Sequence, residues 1–365
     1  MSAPLQLDHI EIDDVDRDLI ARLSLRTKTV FLAALDKGLS GSSVWRARWE
    51  VGGVDTKDHV FKIGALYKIQ RELDAYVQVA SAIDAGSPQM AIARDVVNKR
   101  GILVQELMSS GPGSGSLRAR IAATTVPDEA TKLIDDLYRK RLQGWHFPTK
   151  KRFATANLPM REALDWWTDR IDLPKTMDEI GTSGLATSLE RFVAITPDEV
   201  ISLVEDILDR EERITLGPVH GDLHSQNILV GTGRIDLIDF GWTNESKWRA
   251  VDFLMLECSL KFLVTPANAR LVDLLRMETA LEPALVGDAV DTASLQALIH
   301  GRELAVVAAA VGAIRRAALD AGAVTDASQY RRGLVALTAG LASLPDKINR
   351  VFLLHSLATH VKKAA

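Results

Sequence analysis

The sequence predicts an α+β fold in two lobes, a small β-rich N-terminal lobe and a large, mainly helical C-terminal lobe. Residues 29–108 contain short runs of strand-forming residues separated by glycine turns. From residue 109 to residue 365 the pattern is helical, with many alanines and leucines. A Ser/Gly/Pro-rich stretch at 109–115 separates the two patterns and marks the expected boundary. Residues 1–28 form an acidic, amphipathic extension to which the sequence assigns no role.

Short apolar strands and glycine turns account for the N-terminal lobe. Strand formers occupy Thr29–Leu35 and Val44–Val51, and the turn Gly38-Leu39-Ser40-Gly41-Ser42-Ser43 lies between them. After the Gly52-Gly53 turn, Val60-Phe61-Lys62-Ile63 predicts a strand that carries one polar residue, and Ile69–Tyr76 has a helical pattern. Because that strand and that helix are so close in sequence, the helix should begin almost directly after the strand.

One more strand and then a series of helices are expected. Ile102–Met108 predicts a buried strand that runs into the 109–115 stretch. Pro127-Asp128-Glu129 opens a helix, and Thr196-Pro197-Asp198-Glu199 is a capping box that opens another, which ends before Gly217. Further helices are expected near 267–286, 293–319, 327–343 and 345–362.

The most informative motif is His220-Gly221-Asp222-Leu223-His224-Ser225-Gln226-Asn227, followed twelve residues later by Asp239-Phe240-Gly241. Ile228–Val230 and Ile235–Ile238 are β-type runs joined by Gly231-Thr232-Gly233, which predicts a hairpin. Such a hairpin would bring Asn227 and Asp239 to the same end of two paired strands. An acid, an amide and a second acid in this order are typical of kinase-type phosphoryl transfer, with the amide and the second acid on Mg²⁺. A merely polar loop with an accidental Asp-Phe-Gly is the alternative.

These residues resemble the aminoglycoside phosphotransferase and choline kinase family, the small-molecule branch of the protein-kinase-like fold. The resemblance implies an ATP- and Mg²⁺-dependent enzyme with a catalytic loop at 218–227 and a metal-binding segment at 235–241. It implies that Asp222 is the catalytic base, that Asn227 and Asp239 are metal ligands, and that His220 braces the loop. It also makes Asp252 a residue that braces this loop, although a plain helix N-cap is an alternative role.

The resemblance assigns the remaining nucleotide-binding residues to the N-terminal lobe. Glycine lets backbone N–H groups approach phosphate oxygens, so Gly38, Ser40, Gly41 and Ser42 are expected at the phosphates, although an ordinary Gly/Ser hairpin explains the same turn. Lys62 would pair with the α- and β-phosphates, and Glu72 on the following helix would orient it. The 109–115 stretch becomes the hinge, with Glu106 to Met108 as the segment expected to meet adenine.

Composition excludes several classes of protein. A hydrophobic content of 47% over 365 residues is enough for a full core, and a net charge of −4 with a pI near 6.1 indicates neither a nucleic-acid nor a membrane partner. The single cysteine, Cys258, cannot form an internal disulfide and is expected in the core. No signal peptide is evident, and the apolar run Leu304–Ile314 is too short to span a bilayer. We therefore expect a cytoplasmic protein, and no protein partner is indicated.

The acceptor is expected to be a small molecule. Only a short interval separates Asp239 from Asp252, which leaves no room for a peptide-binding platform. Residues 261–365 contain twelve Lys and Arg against nine Asp and Glu, so an anionic or neutral acceptor is favoured over a polycation. Trp145-His146 and the following Lys150-Lys151-Arg152 could line a substrate site. The basic run could receive an anion there, but a solvated loop is the more common role of such a run. Trp166-Trp167 is expected in the core and not in a choline-type cage.

Two functions of different classes therefore follow from the sequence. The first is a small-molecule phosphotransferase that binds nucleotide and an acceptor. The second is a kinase-fold regulatory module that senses nucleotide or binds a partner and turns over little. The joint presence of Lys62, Asp222, Asn227 and Asp239 favours the enzyme.

Overall fold

The computed structural model describes residues 13–23, 28–34, 43–51, 54–79, 90–106, 115–148, 153–344 and 349–364. The chain divides into two compact units, Met1–Gly115 with Asn227–Thr243 and Ser116–Gln226 with Asn244–Ala365. Three sequence predictions lie outside the described residues: the phosphate-binding turn at Gly38–Ser42, Met108 in the hinge, and the basic cluster at 150–152.

The described elements follow one another along the chain in this order: α1 (Asp14–Leu23), β1 (Lys28–Ala34), β2 (Ser43–Val51), β3 (Val54–Ala65), α2 (Leu66–Val79), β4 (Met90–Asp95), β5 (Arg100–Glu106), β6 (Gly115–Ser116), α3 (Leu117–Ala123), α4 (Pro127–Asp136), α5 (Gln143–His146), β7 (Ala154–Pro159), α6 (Met160–Ala163), α7 (Asp165–Thr168), α8 (Leu173–Ile180), α9 (Thr182–Val193), α10 (Pro197–Asp209), β8 (Glu211–Val219), β9 (Ile228–Gly231), β10 (Arg234–Leu237), β11 (Asn244–Trp248), α11 (Val251–Leu263), α12 (Leu271–Leu281), α13 (Thr292–Gln296), α14 (Gly301–Asp320), α15 (Ala327–Ala342) and α16 (Arg350–Ala364). A π-helical turn (Leu137–Arg141) follows α4, and 3₁₀ turns occur at Phe240–Trp242 and Glu282–Val286.

The first unit contains a five-stranded antiparallel sheet in the order β1-β2-β3-β5-β4. Helix α2 begins at Leu66, directly after β3 ends at Ala65, as the sequence predicted. This sheet and helix, followed by a mainly helical second unit, confirm the α+β class that the sequence predicted.

Helix α1 belongs to the first unit and is not a detached extension. Leu19 and Ile20 are fully buried in one apolar cluster with Phe61 of β3 and Ile102 of β5. Arg100 also donates to Asp16, with its Nε 2.9 Å from Oδ1. The helix therefore covers one face of the sheet, a packing role that the sequence pattern of residues 1–28 did not suggest.

The β9–β10 hairpin also groups with the first unit, although the expected boundaries placed it in the C-terminal lobe. Its strands pair antiparallel, with Ile228 opposite Leu237. The buried amide of Gln105 donates from Nε2 to the Leu237 carbonyl oxygen at 2.5 Å, and Val60 packs against Ile238. A hydrogen bond and apolar packing thus join the hairpin to β5 and β3.

The second unit is mainly helical but contains a sheet that the sequence analysis missed. Strands β11, β8 and β7 lie side by side in that order. The helix opened by the capping box at Thr196 ends at Asp209, and β8 then leads directly to His220. In β8 buried positions alternate with exposed ones at Glu211–Ile214, which is a strand signature that we attributed to the end of the helix.

A buried ionic network joins the C-terminal helices of the second unit. Arg315 of α14 forms two hydrogen bonds with Glu257 of α11, at 2.6 and 3.0 Å. Lys261 of α11 lies 2.6 Å from Glu278 of α12 and 3.7 Å from Glu257. All four side chains are at most 2% exposed. Each buried charge is paired, as such charges must be to avoid a large desolvation cost.

Two expectations from composition can be compared with the structure. Cys258 is 1% exposed, as predicted, and burial raises the pKa of its thiol to about 12. Within the ranges that the structure describes, no helix combines the length and apolar character needed to cross a membrane.

Candidate active site

Three charged side chains meet in the first unit. The Lys62 ammonium of β3 lies 2.7 Å from Glu72 Oε2 on α2 and 2.5 Å from Asp239 Oδ1, just after β10. Lys62 is 8% exposed and Glu72 is 3% exposed, whereas the side chain of Asp239 is 25% exposed. Because α2 starts one residue after β3, its second turn places Glu72 beside Lys62 despite the short interval in sequence.

The backbone at Asp239 presents its carboxylate to Lys62. Asp239 has φ 63° and ψ 67°, in the left-handed region that costs energy for a residue with a Cβ. The next residue, Phe240, is fully buried, and its ring packs edge-on against Tyr76 of α2 with centroids 5.0 Å apart. A Cβ on Gly241 would lie 3.4 Å from Asp239 Oδ1. The buried aromatic pair thus anchors the strained turn on the helix that carries Glu72.

The hairpin brings Asn227 next to the Asp-Phe-Gly segment. The Ile238 N–H donates to the Asn227 carbonyl oxygen at 3.0 Å, one step beyond the Ile228–Leu237 pair. Asn227 and Asp239 are therefore at the same end of β9 and β10, as the sequence predicted. Asn227 is 6% exposed, so its amide is held in a packed setting.

The charges in this cluster perturb one another. Burial and the nearby Asp239 carboxylate raise the pKa of Glu72 to about 7, although Lys62 and the Phe240 N–H oppose the shift. Burial lowers the pKa of Lys62, but Glu72 and Asp239 outweigh burial and hold that pKa above its ordinary value. Lys62 therefore stays a cation that faces two carboxyl groups, of which Glu72 takes up a proton near neutral pH.

In the second unit, Asp252 fixes the predicted catalytic loop. Its Oδ2 accepts from the His220 N–H and its Oδ1 from the Gly221 N–H, both at 2.9 Å. Asp252 and His220 are fully buried, and Gly221 has φ 79°. Helix α11 begins at Val251 with Ala250 as its N-cap, so the alternative N-cap role for Asp252 is wrong. Asp252 instead braces the loop, the role that the resemblance implied.

His146 supports Asp252 from a second direction. Its Nε2 lies 3.4 Å from Asp252 Oδ2, and its ring packs against Phe253 at 4.7 Å. Burial lowers the pKa of His146, although Asp252 raises it in part, so the imidazole is neutral near pH 7. Sequence analysis had noted His146 only as a residue that could line a substrate site.

Asp222 lies in the loop that Asp252 braces, with its side chain 20% exposed. The Asp222 carbonyl accepts from the His224 N–H at 2.8 Å, and the His224 ring nitrogen Nε2 lies 3.8 Å from Asp222 Oδ2. Farther along, the buried Ser225 hydroxyl lies 2.7 Å from the hydroxyl of Ser259 on α11. The loop is thus anchored to α11 at both ends, while the Asp222 carboxylate remains accessible.

The predicted site residues are divided between the two units. Lys62, Glu72, Asp239 and Asn227 gather in the first unit. Glu106 is the last residue of β5 and is partly buried, which leaves its predicted role at adenine open. His220 and Asp222 belong to the second unit.

Two residues with roles here carried no motif. Gln105, which ties β5 to the hairpin, and Arg170, whose charge interacts with Asp222, were missed by sequence analysis. A buried glutamine in a strand of apolar residues was the one available signal, since such a polar group must find a partner.

The chain has been compared with known proteins at three levels. The family model Ternary complex associated domain 9 matches residues 185–338. No curated protein matches the chain at a significant level. Among solved structures, the chain is similar to a putative fructosamine-3-kinase from Thermobifida fusca YX-ER1, with 14% identity, a TM-score of 0.46, and coverage of 94% of this chain and 97% of that one.

Two further structures have comparable scores. The spectinomycin phosphotransferase in complex with ADP and spectinomycin has 11% identity and a TM-score of 0.44, with coverage of 95% of this chain and 97% of that one. The macrolide 2′-phosphotransferase from Brachybacterium faecium has 16% identity and a TM-score of 0.42, with coverage of 90% and 91%. Their names agree with the family that the motifs resemble.

Proposed function

We propose that this protein transfers the γ-phosphoryl group of ATP to a hydroxyl group of a small molecule. The observation that carries the proposal is the buried Lys62–Glu72–Asp239 cluster. Kinase-type transfer uses a lysine paired with a glutamate on a helix and a nearby aspartate that can bind the metal, and this cluster supplies all three groups. A structural salt bridge alone would not account for the strain at Asp239 or for its remaining exposure.

The chemistry assigns one role to each group. Lys62 binds phosphate oxygens of ATP, and Glu72 orients it. Asp222 accepts the proton of the acceptor hydroxyl as a bond forms between that oxygen and the γ-phosphorus. The bond between the γ-phosphorus and the β,γ-bridging oxygen breaks, and ADP leaves with that oxygen. The loop braced by Asp252 holds Asp222 in place, which matters because positioning supplies most of the catalysis in such reactions.

Asn227 and Asp239 suit Mg²⁺ as the accompanying metal. Both supply oxygen donors from one end of the hairpin, and Mg²⁺ is usually held by one or two such side chains together with substrate phosphates and water. No group of three or more His, Cys, Asp or Glu side chains with metal-binding geometry occurs in the described ranges. When bound, Mg²⁺ neutralises charge on the phosphates.

The experiment that tests nucleotide binding is calorimetry with Mg·ATP on Asp239→Asn. This variant removes the charge of a proposed metal ligand but keeps a side chain of the same size, so we expect strongly weakened Mg·ATP binding in a folded protein. Asp74→Asn is the matched control, because Asp74 is an exposed carboxylate of α2 that bonds to Gln70. Unchanged metal-dependent affinity in Asp239→Asn would remove the assignment. In wild type, Mg·ATP at 100 times its dissociation constant should stabilise the fold by about 2.7 kcal/mol.

A second variant separates binding from chemistry. Asp222→Asn should retain the affinity for Mg·ATP and lose about 10²–10⁴-fold in turnover, because only the base is lost. Turnover is measured as ADP release over a panel of hydroxylated compounds. Near-normal kcat would move the role of the base to another residue, and His224 would be tested first because of its 3.8 Å approach to Asp222.

A second candidate function is a regulatory module that binds nucleotide and assembles with other proteins. The match of residues 185–338 to Ternary complex associated domain 9 favours it, because that family is named for an association with complexes. This function predicts that Asp239→Asn weakens Mg·ATP binding. It also predicts that no compound of the panel stimulates ADP release, and that Asp222→Asn changes neither Mg·ATP affinity nor ADP release. Stoichiometric turnover of any small hydroxylated compound would decide for the enzyme.

A further inference from the structure

The adjacent tryptophans of α7 have different surroundings. Trp167 is 7% exposed and belongs to the core, as the sequence predicted for the pair. Trp166 is only partly buried, and the Arg170 guanidinium carbon lies 3.3 Å from the centroid of its ring. The guanidinium plane is thus held against an aromatic face within one turn of chain, which is a common way to orient arginine.

The segment that carries Trp166 and Arg170 is anchored from two sides. On one side, Gly340 of α15 allows close approach, since a Cβ at this position would overlap the Trp167 carbonyl oxygen. On the other side, Lys247 of β11 lies 2.6 Å from both carboxylate oxygens of Asp165. The stacked arginine is therefore presented by a fixed segment and not by a free loop.

Within the part of the chain that the structure describes, no direct pairing neutralises the charge of Arg170. Among the described residues it forms no hydrogen bond or salt bridge, and its contacts are the two tryptophan rings and the charge of Asp222. Partial burial lowers the pKa of Arg170, and the Asp222 carboxylate offsets part of that effect. Its N–H groups therefore remain available to a ligand, in the electrostatic range of the proposed base.

We propose that Arg170, stacked on Trp166, binds an anionic group of the acceptor, a carboxylate or a phosphate, while the acceptor hydroxyl is directed to Asp222. This inference rests on the proposed phosphotransferase function and names its substrate class. Guanidinium groups bind both anions through two parallel N–H bonds, and the stacking fixes the plane in which these bonds are offered. Arg170 is a specificity-determining residue, and the proton still goes to Asp222.

Two other roles for Arg170 give different outcomes. If it served only as a counter-charge to Asp222, its replacement would change kcat and leave acceptor affinity unchanged. If it bound the transferred phosphoryl group, the KM for ATP would rise. A polycationic acceptor is disfavoured, because the stacked arginine offers it a fixed positive charge that repels it.

The test uses sodium phosphate as the probe and NMR as the site-specific readout. The Nε–Hε resonance of Arg170, assigned by its loss in Arg170→Lys, is followed in the full-length protein with sodium chloride at constant ionic strength. Arg191 is the matched internal control, because its guanidinium carbon lies 5.2 Å from the Phe192 ring in an exposed position. We expect a saturable shift at Arg170 and none at Arg191. A chemical-shift change that grows linearly with the phosphate concentration and is equal at Arg170 and Arg191 overturns the inference.

Kinetics supply the second arm, with glucose, gluconate, glucose 6-phosphate and glucosamine as acceptors of different charge. We expect ADP release with an anionic compound, and Arg170→Ala should raise its KM about 10- to 100-fold while the KM for ATP stays constant. Turnover of glucose or glucosamine that is insensitive to Arg170→Ala overturns the inference. If none is phosphorylated, the NMR titration decides alone.

The same samples are titrated with Mg·ATP, so that the two proposals fail separately. Mg·ATP binding without a phosphate response at Arg170 removes the inference and leaves the proposed function standing. A phosphate response without Mg·ATP binding removes the proposed function and leaves an anion site.

Discussion

Replacing Lys261 with methionine should destabilise the helical second unit strongly. Lys261 is fully buried between two carboxylates, 2.6 Å from Glu278 and 3.7 Å from Glu257. Methionine has a similar length and no charge, so the packing is largely kept. Arg315 still pairs with Glu257, but Glu278 is left as a buried carboxylate without its closest cation.

The expected magnitude follows from burial. Breaking a buried ion pair by removing one partner typically costs about 3–5 kcal/mol, because the remaining charge is desolvated without compensation. The Ser356 hydroxyl donates to Glu278 at 2.6 Å and offsets part of that cost, so we expect the lower half of the range, about 3–4 kcal/mol.

The single cysteine provides the assay. Cys258 lies one turn before Lys261 on α11 and is 1% exposed, so a thiol reagent can reach it only after local or global opening. A loss of 3–4 kcal/mol should therefore speed labelling by roughly 10²–10³-fold. Lys261 lowers the pKa of this thiol, so its removal cannot make the native thiol more reactive.

The matched control is Lys132→Met. Lys132 Nζ lies 2.7 Å from Asp136 Oδ2, nearly the same separation as in the buried pair, but its side chain is 72% exposed. Exposed pairs contribute about 0–1 kcal/mol, so the labelling rate should change at most about fivefold. If Lys261→Met labels as slowly as Lys132→Met, burial does not set the energy of this network and the reasoning is wrong.

Three further predictions concern stability. Asp252→Asn leaves one loop N–H facing an amide N–H₂, so the free energy of unfolding should fall by about 1–3 kcal/mol in urea titrations. Gly340→Ala should lower the free energy of unfolding by about 1–3 kcal/mol, because the added Cβ would overlap the α7 backbone. Gly184→Ala on α9, where a Cβ would meet open space, should raise it by up to about 1 kcal/mol. Equal changes of the melting temperature in the two variants would contradict this prediction. Burial lowers the pKa of His146 and His360 in the folded protein. As the pH falls below about 6.5, the unfolded protein therefore takes up protons on these histidines more readily than the folded protein does. Urea titrations should accordingly show the free energy of unfolding falling from pH 7 to pH 5. A free energy of unfolding that stays constant between pH 7 and pH 5 would contradict the neutral, buried state of the two histidines.

Local chemical rules predicted the parts of the site that depend on short-range geometry. The Gly231-Thr232-Gly233 turn fixes the β9–β10 hairpin, and with it the proximity of Asn227 to Asp239. The short interval between Lys62 and Glu72 correctly predicted a helix that starts at the end of β3. In each case, few residues separate the partners, so the chain has little freedom.

Interactions across long sequence separations were not predictable in this way. The charge count of residues 261–365 treated Lys261 and Arg315 as surface charges, but both are buried partners of glutamates. The charge of Arg170 interacts with that of Asp222 although 52 positions separate them, and only tertiary packing could reveal this interaction. Strand β8 was missed because its two neighbours in the sheet are distant in sequence.

The Lys62–Asp239 contact competes with the ligands that are proposed for these two groups. The proposed phosphate-binding cation and metal-binding carboxylate are already joined at 2.5 Å, so Mg·ATP must separate them before each can take its new partner. Any population that keeps this contact closed reduces the apparent affinity by that fraction. Glu72 should limit the penalty, because it also pairs with Lys62, at 2.7 Å, and can hold the ammonium group if Asp239 turns to a metal ion. The second carboxylate thus keeps the lysine in position during the exchange of ligands at Asp239.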